Sequence, residues 1–214
     1  MSIKNIALDV NYVRSQFPAF SDPLSKKWSF FENAGGSYVP QNVITHLNNF
    51  MTSTKVQPYA SYDISNIAGK KMDQATELFA KIINANVDEI IIGASTTMNL
   101  YVLSNAIKYF LKPGDEIIVT NQDHEANIGA WRRLKEVGAV IKEWKINPKN
   151  GELEIEELKL LLSSKTKIVA VTHCSNIIGS NNDMKFISNL VHEYDAYLVG
   201  DGVSYAPHGF PDVK

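Results

Sequence analysis

"EIIVTNQDHEANIGAWRRLKEVGAVIKEWKI", residues 116–146, decides the fold. Its first five residues, "EIIVT", form a short apolar run that reads as a buried strand. A polar knot, Asn121-Gln122-Asp123-His124, follows. "EANIGAWRRLKEVG" then reads as a helix ending at Gly138, and "AVIKEWKI" alternates like a second strand. Strand, helix and strand in that order imply a parallel pair with the helix laid across one face.

The same alternation extends in both directions. Upstream, "NIAGKKMDQATELFAKIINA" (66–85) is a helix on which Ile67, Ala75, Leu78, Phe79 and Ile82 share a face. "EIIIGA" (89–94) reads as a short buried strand, and "TTMNLYVLSNAIKYFL" (96–111) as a helix stopped by Pro113-Gly114. Downstream, "NPKNG" (147–151) is a turn, "EIEELKLLLSS" (154–164) a helix and "KIVAVTH" (167–173) a strand. "MKFISNLVHEYD" (184–195) and "AYLVG" (196–200) add one more helix and strand. The first sixty-odd residues are less regular. Pro40 reads as the first helical position of "PQNVITHLNNFM", and "STKVQPYASYD" (53–63) as a loop. The expected class is α/β, a mainly parallel sheet with helices on both faces.

Composition narrows the function classes. The 214 residues are 44% hydrophobic and 21% charged, with a net charge of −2, an ordinary globular balance. No basic stripe points to nucleic acid, and no apolar run is long enough to span a bilayer. The N-terminus carries Asp9 and Arg14 where a signal peptide needs an unbroken apolar stretch. One cysteine allows no internal disulfide, which fits a reducing, cytoplasmic setting.

In open parallel sheets, ligands bind beyond the C-terminal strand ends. Four such ends carry polar groups here: Ser95-Thr96-Thr97, Asp123-His124, His173-Cys174-Ser175-Asn176, and Asp201 with Ser204 close behind. Each has two readings. Ser95, Thr96 and Thr97 either cap a helix or cradle a phosphate at its N-terminus. His124 is a loop histidine beside a capping Asp123, or a group that stacks on a flat ring and moves protons. Asn176 ties a turn or faces a ligand. Cys174 reads as packing. No metal-ligand spacing occurs. Asp201 ends an apolar strand, so it should be buried and need a partner, either a salt bridge, an N-cap or a cationic ring nitrogen. A phosphate cradle, a stacking histidine, a side-chain amide and a carboxylate together describe a site for pyridoxal 5′-phosphate, whose ring nitrogen needs such a carboxylate.

These stretches resemble the class-V aminotransferase group of fold-type I pyridoxal-phosphate enzymes, which includes cysteine desulfurases, selenocysteine lyases, kynureninases and isopenicillin-N epimerases. "FFENAGGSYVP" (30–40) is similar to the group's N-terminal strand and glycine turn, which implies that Asn33, Ala34 and Gly35 border the substrate. "GASTTMNL" (93–100) resembles its phosphate loop, with Ser95 in a glycine's place. "DHEANIGAW" (123–131) resembles the stretch whose histidine stacks on the cofactor, implying that role for His124. "THCSNIIGS" (172–180) resembles the motif whose asparagine, here Asn176, lies near the phenolic oxygen. "GDGVSYAPHG" (200–209) resembles the motif whose aspartate, here Asp201, holds the pyridine nitrogen. Five motifs in order cover most of the chain. "DHEAN" with "YAPHG" leans toward a desulfurase-like subgroup.

Two departures matter. Ser204 stands where the group usually has Gln or His against the phenolic oxygen. The group's lysine that binds the cofactor's aldehyde lies on a strand after "PHGFPDVK", as do its carboxylate-binding arginine and the desulfurase cysteine. The resemblance therefore implies the N-terminal half of a longer, homodimeric enzyme acting on an amino acid, inactive as this chain alone. Residues 1–28 would join a small domain, and 29–214 would form an incomplete three-layer large domain. The missing strands would insert between "AYLVG" and "EIIIG", leaving exposed edges without them. Two other readings stay open: a nucleotide-binding α/β domain, whose glycine signatures are absent, and a non-catalytic binding or scaffold protein.

Overall fold

The computed structural model describes residues 8–214, which divide into two units at Leu78/Phe79. Residues 1–7, part of the segment expected to join a small domain, lie outside the described residues. In the first unit, α1 (Val10–Ser15) is capped by Asp9, whose carboxylate accepts from the Tyr12 amide at 3.0 Å. α2 (Gln41–Asn49) begins one residue after Pro40, whose ψ of 152° keeps it extended as the N-cap rather than the first helical residue. α3 (Asp63–Ile83), which runs through the Leu78/Phe79 division, starts earlier than its apolar pattern suggests. Its first turn is nailed to the preceding loop by Ser65, which donates to the Gln57 carbonyl and accepts from the Ala60 amide. Tyr59 donates to Asp73 at 2.7 Å and its ring lies over Gly69, where a Cβ would come within 2.6 Å of it. The small residues Ala68 and Ala80 are buried instead of the expected apolar stripe, and Ile67, Leu78 and Phe79 are exposed. The stripe was assigned from period alone. The close approach of Tyr59 accounts for the small residue at Gly69.

The second unit carries α4 (Thr96–Ile107), β1 (Glu116–Thr120), α5 (Glu125–Arg132), β2 (Val140–Trp144), α6 (Ile155–Leu161), β3 (Thr166–Thr172), α7 (Met184–His192) and β4 (Tyr197–Asp201). The sheet order is β2-β1-β3-β4, all parallel. Alternation along the strands sorts the core into two layers. Ile117, Val119, Ile168, Ala170 and Val199 pack with Leu100 of α4 and Ile128 and Trp131 of α5. Ile118, Val169, Val171 and Leu198 pack with Leu158 of α6 and Ile187 and Val191 of α7. The result is a three-layer α/β unit.

The helix read over 125–138 is α only to Arg132 and tightens into a 3₁₀ turn over Arg133–Val137. Gly138 closes it at φ 88°, a left-handed cap that glycine adopts freely. The strand expected at "EIIIGA" does not form. Residues 90–94 run without a ladder partner, and Ile91 and Ile92 are 88% and 61% exposed. The sheet's two edges, β2 and β4, both pair elsewhere and neither takes this segment. A strand's hydrogen bonds come from its neighbour, so β-propensity alone leaves the segment extended and open.

Candidate functional site

The C-terminal ends of β1, β3 and β4 meet at one edge, and β3 reaches further than β1. The β1–β3 ladder is paired through Ile118↔Val169, whereas β3–β4 runs on to Thr172↔Asp201. Past its paired stretch with β1, the Thr172 amide is taken by the side chain of Asp123, which accepts it at 2.9 Å. The same oxygen, Oδ2, accepts from Thr120 Oγ1 at 2.6 Å, and Oδ1 accepts from Asn127 Nδ2 at 2.8 Å. Asn127 is fully buried on α5, and its own oxygen receives the indole N–H of Trp131 at 3.3 Å. Burial pushes the Asp123 carboxyl up and outweighs the three donors that favour its charged form, and the nearby Asp201 charge pushes the same way. Asp123 is thus not the helix cap. His124 is, its Nδ1 accepting from the Ala126 amide at 3.1 Å. The sequence reading missed Asp123 and Asn127 as a pair. Their i, i+4 spacing across a helix start was the available signal.

Asp201 follows Val199 by two residues and so belongs to the α4–α5 face of the sheet. It is half-buried, short of the burial expected for it. One carboxylate oxygen accepts from the Val203 amide at 2.9 Å, and no cation pairs with it among the described residues. Neither alternative, a salt bridge or a helix cap, is what it does. The turn after β4 brings Ser204 next to it, with Tyr205 and Ala206 amides donating to Gly202 O. Tyr205 folds back and stacks on His173, with ring centroids 3.5 Å apart and planes 14° from parallel. Burial lowers the His173 pKa and favours its neutral form. On the opposite face, a Cβ at Gly200 would come within 2.7 Å of Met184 Cε of α7, the movable end of that side chain.

Asn176 sits in the turn after β3. Ser175, not Asn176, ties this turn, accepting from the Ile177 and Ile178 amides at 3.4 Å. The Asn176 and Ser204 side chains have no hydrogen bond among the described residues. Cys174 Sγ lies 3.8 Å from the Gly179 carbonyl, a packing role. Ser95 is the N-cap of α4, its Oγ accepting from the Met98 amide at 3.2 Å. Thr96 and Thr97, the first helical residues, are exposed. A side chain at Gly93, just ahead of this cap, would displace the Asn99 side-chain amide. In the first unit, Asn33, Ala34 and Gly35 form an exposed turn closed by the Gly35 amide donating to Glu32 O at 3.0 Å. No group of three His, Cys, Asp or Glu side chains suited to a metal occurs among the described residues.

The profile of the aminotransferase class-V family matches residues 29–214. The chain belongs to the class-V aminotransferase family. It is 45% identical over 97% of its length to an aminotransferase-like protein of Gibberella zeae, covering 52% of that protein. It is 34% identical over 97% of its length to a cysteine desulfurase-like protein of Aspergillus flavus, covering 48% of it. The cysteine desulfurase structure from Escherichia coli superimposes with a TM-score of 0.82 at 23% identity, over 97% of this chain and 52% of that one. That likeness shows the fold. The chain spans about half the length of these two curated relatives.

The family's cofactor is pyridoxal 5′-phosphate, and the polar groups at this edge fit it. Among the described residues, Asp201 has no cation, and Asn176 and Ser204 have unused hydrogen-bonding capacity. The start of α4 carries two exposed hydroxyls, Thr96 and Thr97, with no hydrogen bond to this edge among the described residues. Half-buried polar groups lacking partners gain from a ligand that completes them.

Proposed function

We propose that this chain is the cofactor-binding part of a desulfurase-like pyridoxal-phosphate enzyme that acts on an amino acid. The observation that carries the reading is Asp201, a carboxylate at the end of β4 with no cation, on the same sheet face as the helix that His124 caps. When bound, pyridoxal 5′-phosphate supplies an electron sink for the bond broken at the substrate's α-carbon. In this reading Asp201 accepts a proton-bearing ring nitrogen and keeps it charged. Ser95, Thr96 and Thr97 hold the phosphate with hydroxyls and helix-end amides. His124, fixed through Nδ1 by its cap, stacks on the ring and can hold a proton at Nε2. Asn176 and Ser204 address the phenolic oxygen, Ser204 with a shorter reach than Gln or His. Asn33, Ala34 and Gly35 border the amino-acid substrate.

The lysine that binds the aldehyde, the substrate-carboxylate arginine and the strands that flank β4 and residues 90–94 belong, in this proposal, to the part of the relatives' length that this chain does not cover. The chain alone then lacks turnover. A cytoplasmic homodimer is the assembly proposed. No helix among the described residues is long and apolar enough to cross a membrane. The experiment is a cofactor titration of the full-length protein, followed by visible absorbance. Asp201→Ala is expected to weaken retention at least about tenfold, the loss of one charge-assisted contact. Equal cofactor content in the variant refutes the role of Asp201. Absence of any cofactor band in the wild type refutes the whole reading.

A further inference from the structure

Asp123 is a half-buried carboxylate that the reading above does not use. It is held from three directions: Thr120 of β1, Asn127 of α5 and the Thr172 amide of β3. Thr172 is also the direct ladder partner of Asp201, and its hydroxyl donates to the Cys174 carbonyl. Asp123 and Asp201 therefore flank one residue, from the β1 side and the β4 side. Thr120, Asn127 and Thr172, which face Asp123, are uncharged, and Asp201 is the charged group whose field reaches it. Three donors aimed at both oxygens favour the charged form, while burial and the Asp201 charge oppose it. A second negative charge that close to Asp201 is unfavourable until a cation arrives there.

We propose that Asp123 is a positioning residue that places a second negative charge behind Asp201, so that the two carboxylates together favour a protonated ring nitrogen at the end of β4. The inference rests on the cofactor reading of this edge. Asp201 contacts the nitrogen and Asp123 acts through it. Coupling between the two sites is reciprocal. The cation that Asp201 accepts relieves the repulsion on Asp123, and Asp123 in its charged form raises the proton affinity of the nitrogen. The same carboxylate ties β1 and β3 to the start of α5, so it also fixes the helix end that His124 caps.

The test uses the full-length protein loaded with pyridoxal 5′-phosphate labelled with ¹⁵N in the ring. The ring-nitrogen shift reports protonation directly and is titrated in wild type and Asp123→Asn. The expected result is a midpoint about one pH unit lower in Asp123→Asn. An unmoved midpoint in a variant that retains cofactor overturns the inference and leaves the cofactor reading standing. A second measurement needs neither cofactor nor that variant. The carboxyl ¹³C resonance of Asp123 is titrated without cofactor in wild type and Asp201→Asn. Its midpoint is expected to fall when the Asp201 charge is removed, and a midpoint that stays in place overturns the pairing. A purely structural Asp123 leaves the ring-nitrogen midpoint in place.

Discussion

Lys142→Met tests how the base of the sheet is held. Lys142 Nζ lies 2.7 Å from Glu116 Oε2 and donates to the Leu161 carbonyl at 2.8 Å. The two side chains are 26% and 13% exposed, so water screens them little. Ser163 Oγ, at 2.6 Å, is the second strong donor to the carboxylate. Burial alone would raise the Glu116 pKa, but Lys142 and the Ser163 and Thr166 hydroxyls hold it below its ordinary value. Breaking a fully buried pair costs about 3–5 kcal/mol and an exposed one about 0.2–1 kcal/mol. Met keeps the apolar stem and the hydroxyls keep part of the solvation, so we expect about 2–3 kcal/mol at pH 7. For a chain of this size that lowers Tm by roughly 5–10 °C.

The pH dependence gives the sharper check. A carboxyl whose folded pKa is depressed contributes stability above its unfolded value, here 4.5, and loses it as pH falls through the lowered folded value. Without Lys142, burial is less opposed and the variant's Glu116 takes a proton more readily. The gap between wild type and variant should therefore close on acidification. Urea unfolding at pH 7 and pH 3.5 measures it. Glu116→Gln added to Lys142→Met should recover part of the loss, since no buried charge is then left unpaired. A gap below about 0.5 kcal/mol at pH 7, or one of equal size at both pH values, refutes the reasoning.

Asn127→Leu removes a donor from Asp123 and an acceptor from Trp131. It should cost about 2–4 kcal/mol in urea unfolding, and a cost below about 1 kcal/mol would show that water replaces the amide. Gly138→Ala faces φ 88° and a Cβ 3.0 Å from Pro113 Cα, so about 1–3 kcal/mol of destabilisation is expected in the same assay. For His173, burial depresses the folded pKa, so stability is full above its ordinary 6.5 and falls as pH drops below it. Tyr205→Ala uncovers the ring, and NMR titration should show the His173 pKa rising toward that value. An unchanged pKa would mean that the stack does not bury it.

The α/β class was legible because the strand cores are nearly pure Ile and Val, as in "EIIVT" and "KIVAVT", and are punctuated by Gly and Pro. The same rule misread "EIIIG", since an apolar run announces burial but not who supplies the neighbour. Motif order located Asp201, His124 and Asn176 at loop and strand ends. It did not reveal that Ser175 does the tying in Asn176's turn, or that Tyr205 stacks on His173. The first is a local choice between neighbouring polar residues, and the second is a contact between distant segments set by β3–β4 register. Asp123 was visible as a letter and invisible as a role. Its function follows from β3 being longer at that end than β1, a difference in strand length that only the ladder displays.

That difference also gives the edge a gauge of its own. The Thr172 amide proton points into the Asp123 carboxylate rather than a peptide carbonyl, and a charge-assisted bond of this kind is stronger than its neighbours in the ladder. Its proton resonance and its exchange with solvent deuterium should therefore track the charge on Asp123 from a main-chain position that needs no labelled side chain. One backbone signal would then read out whether a cation has reached the sheet edge.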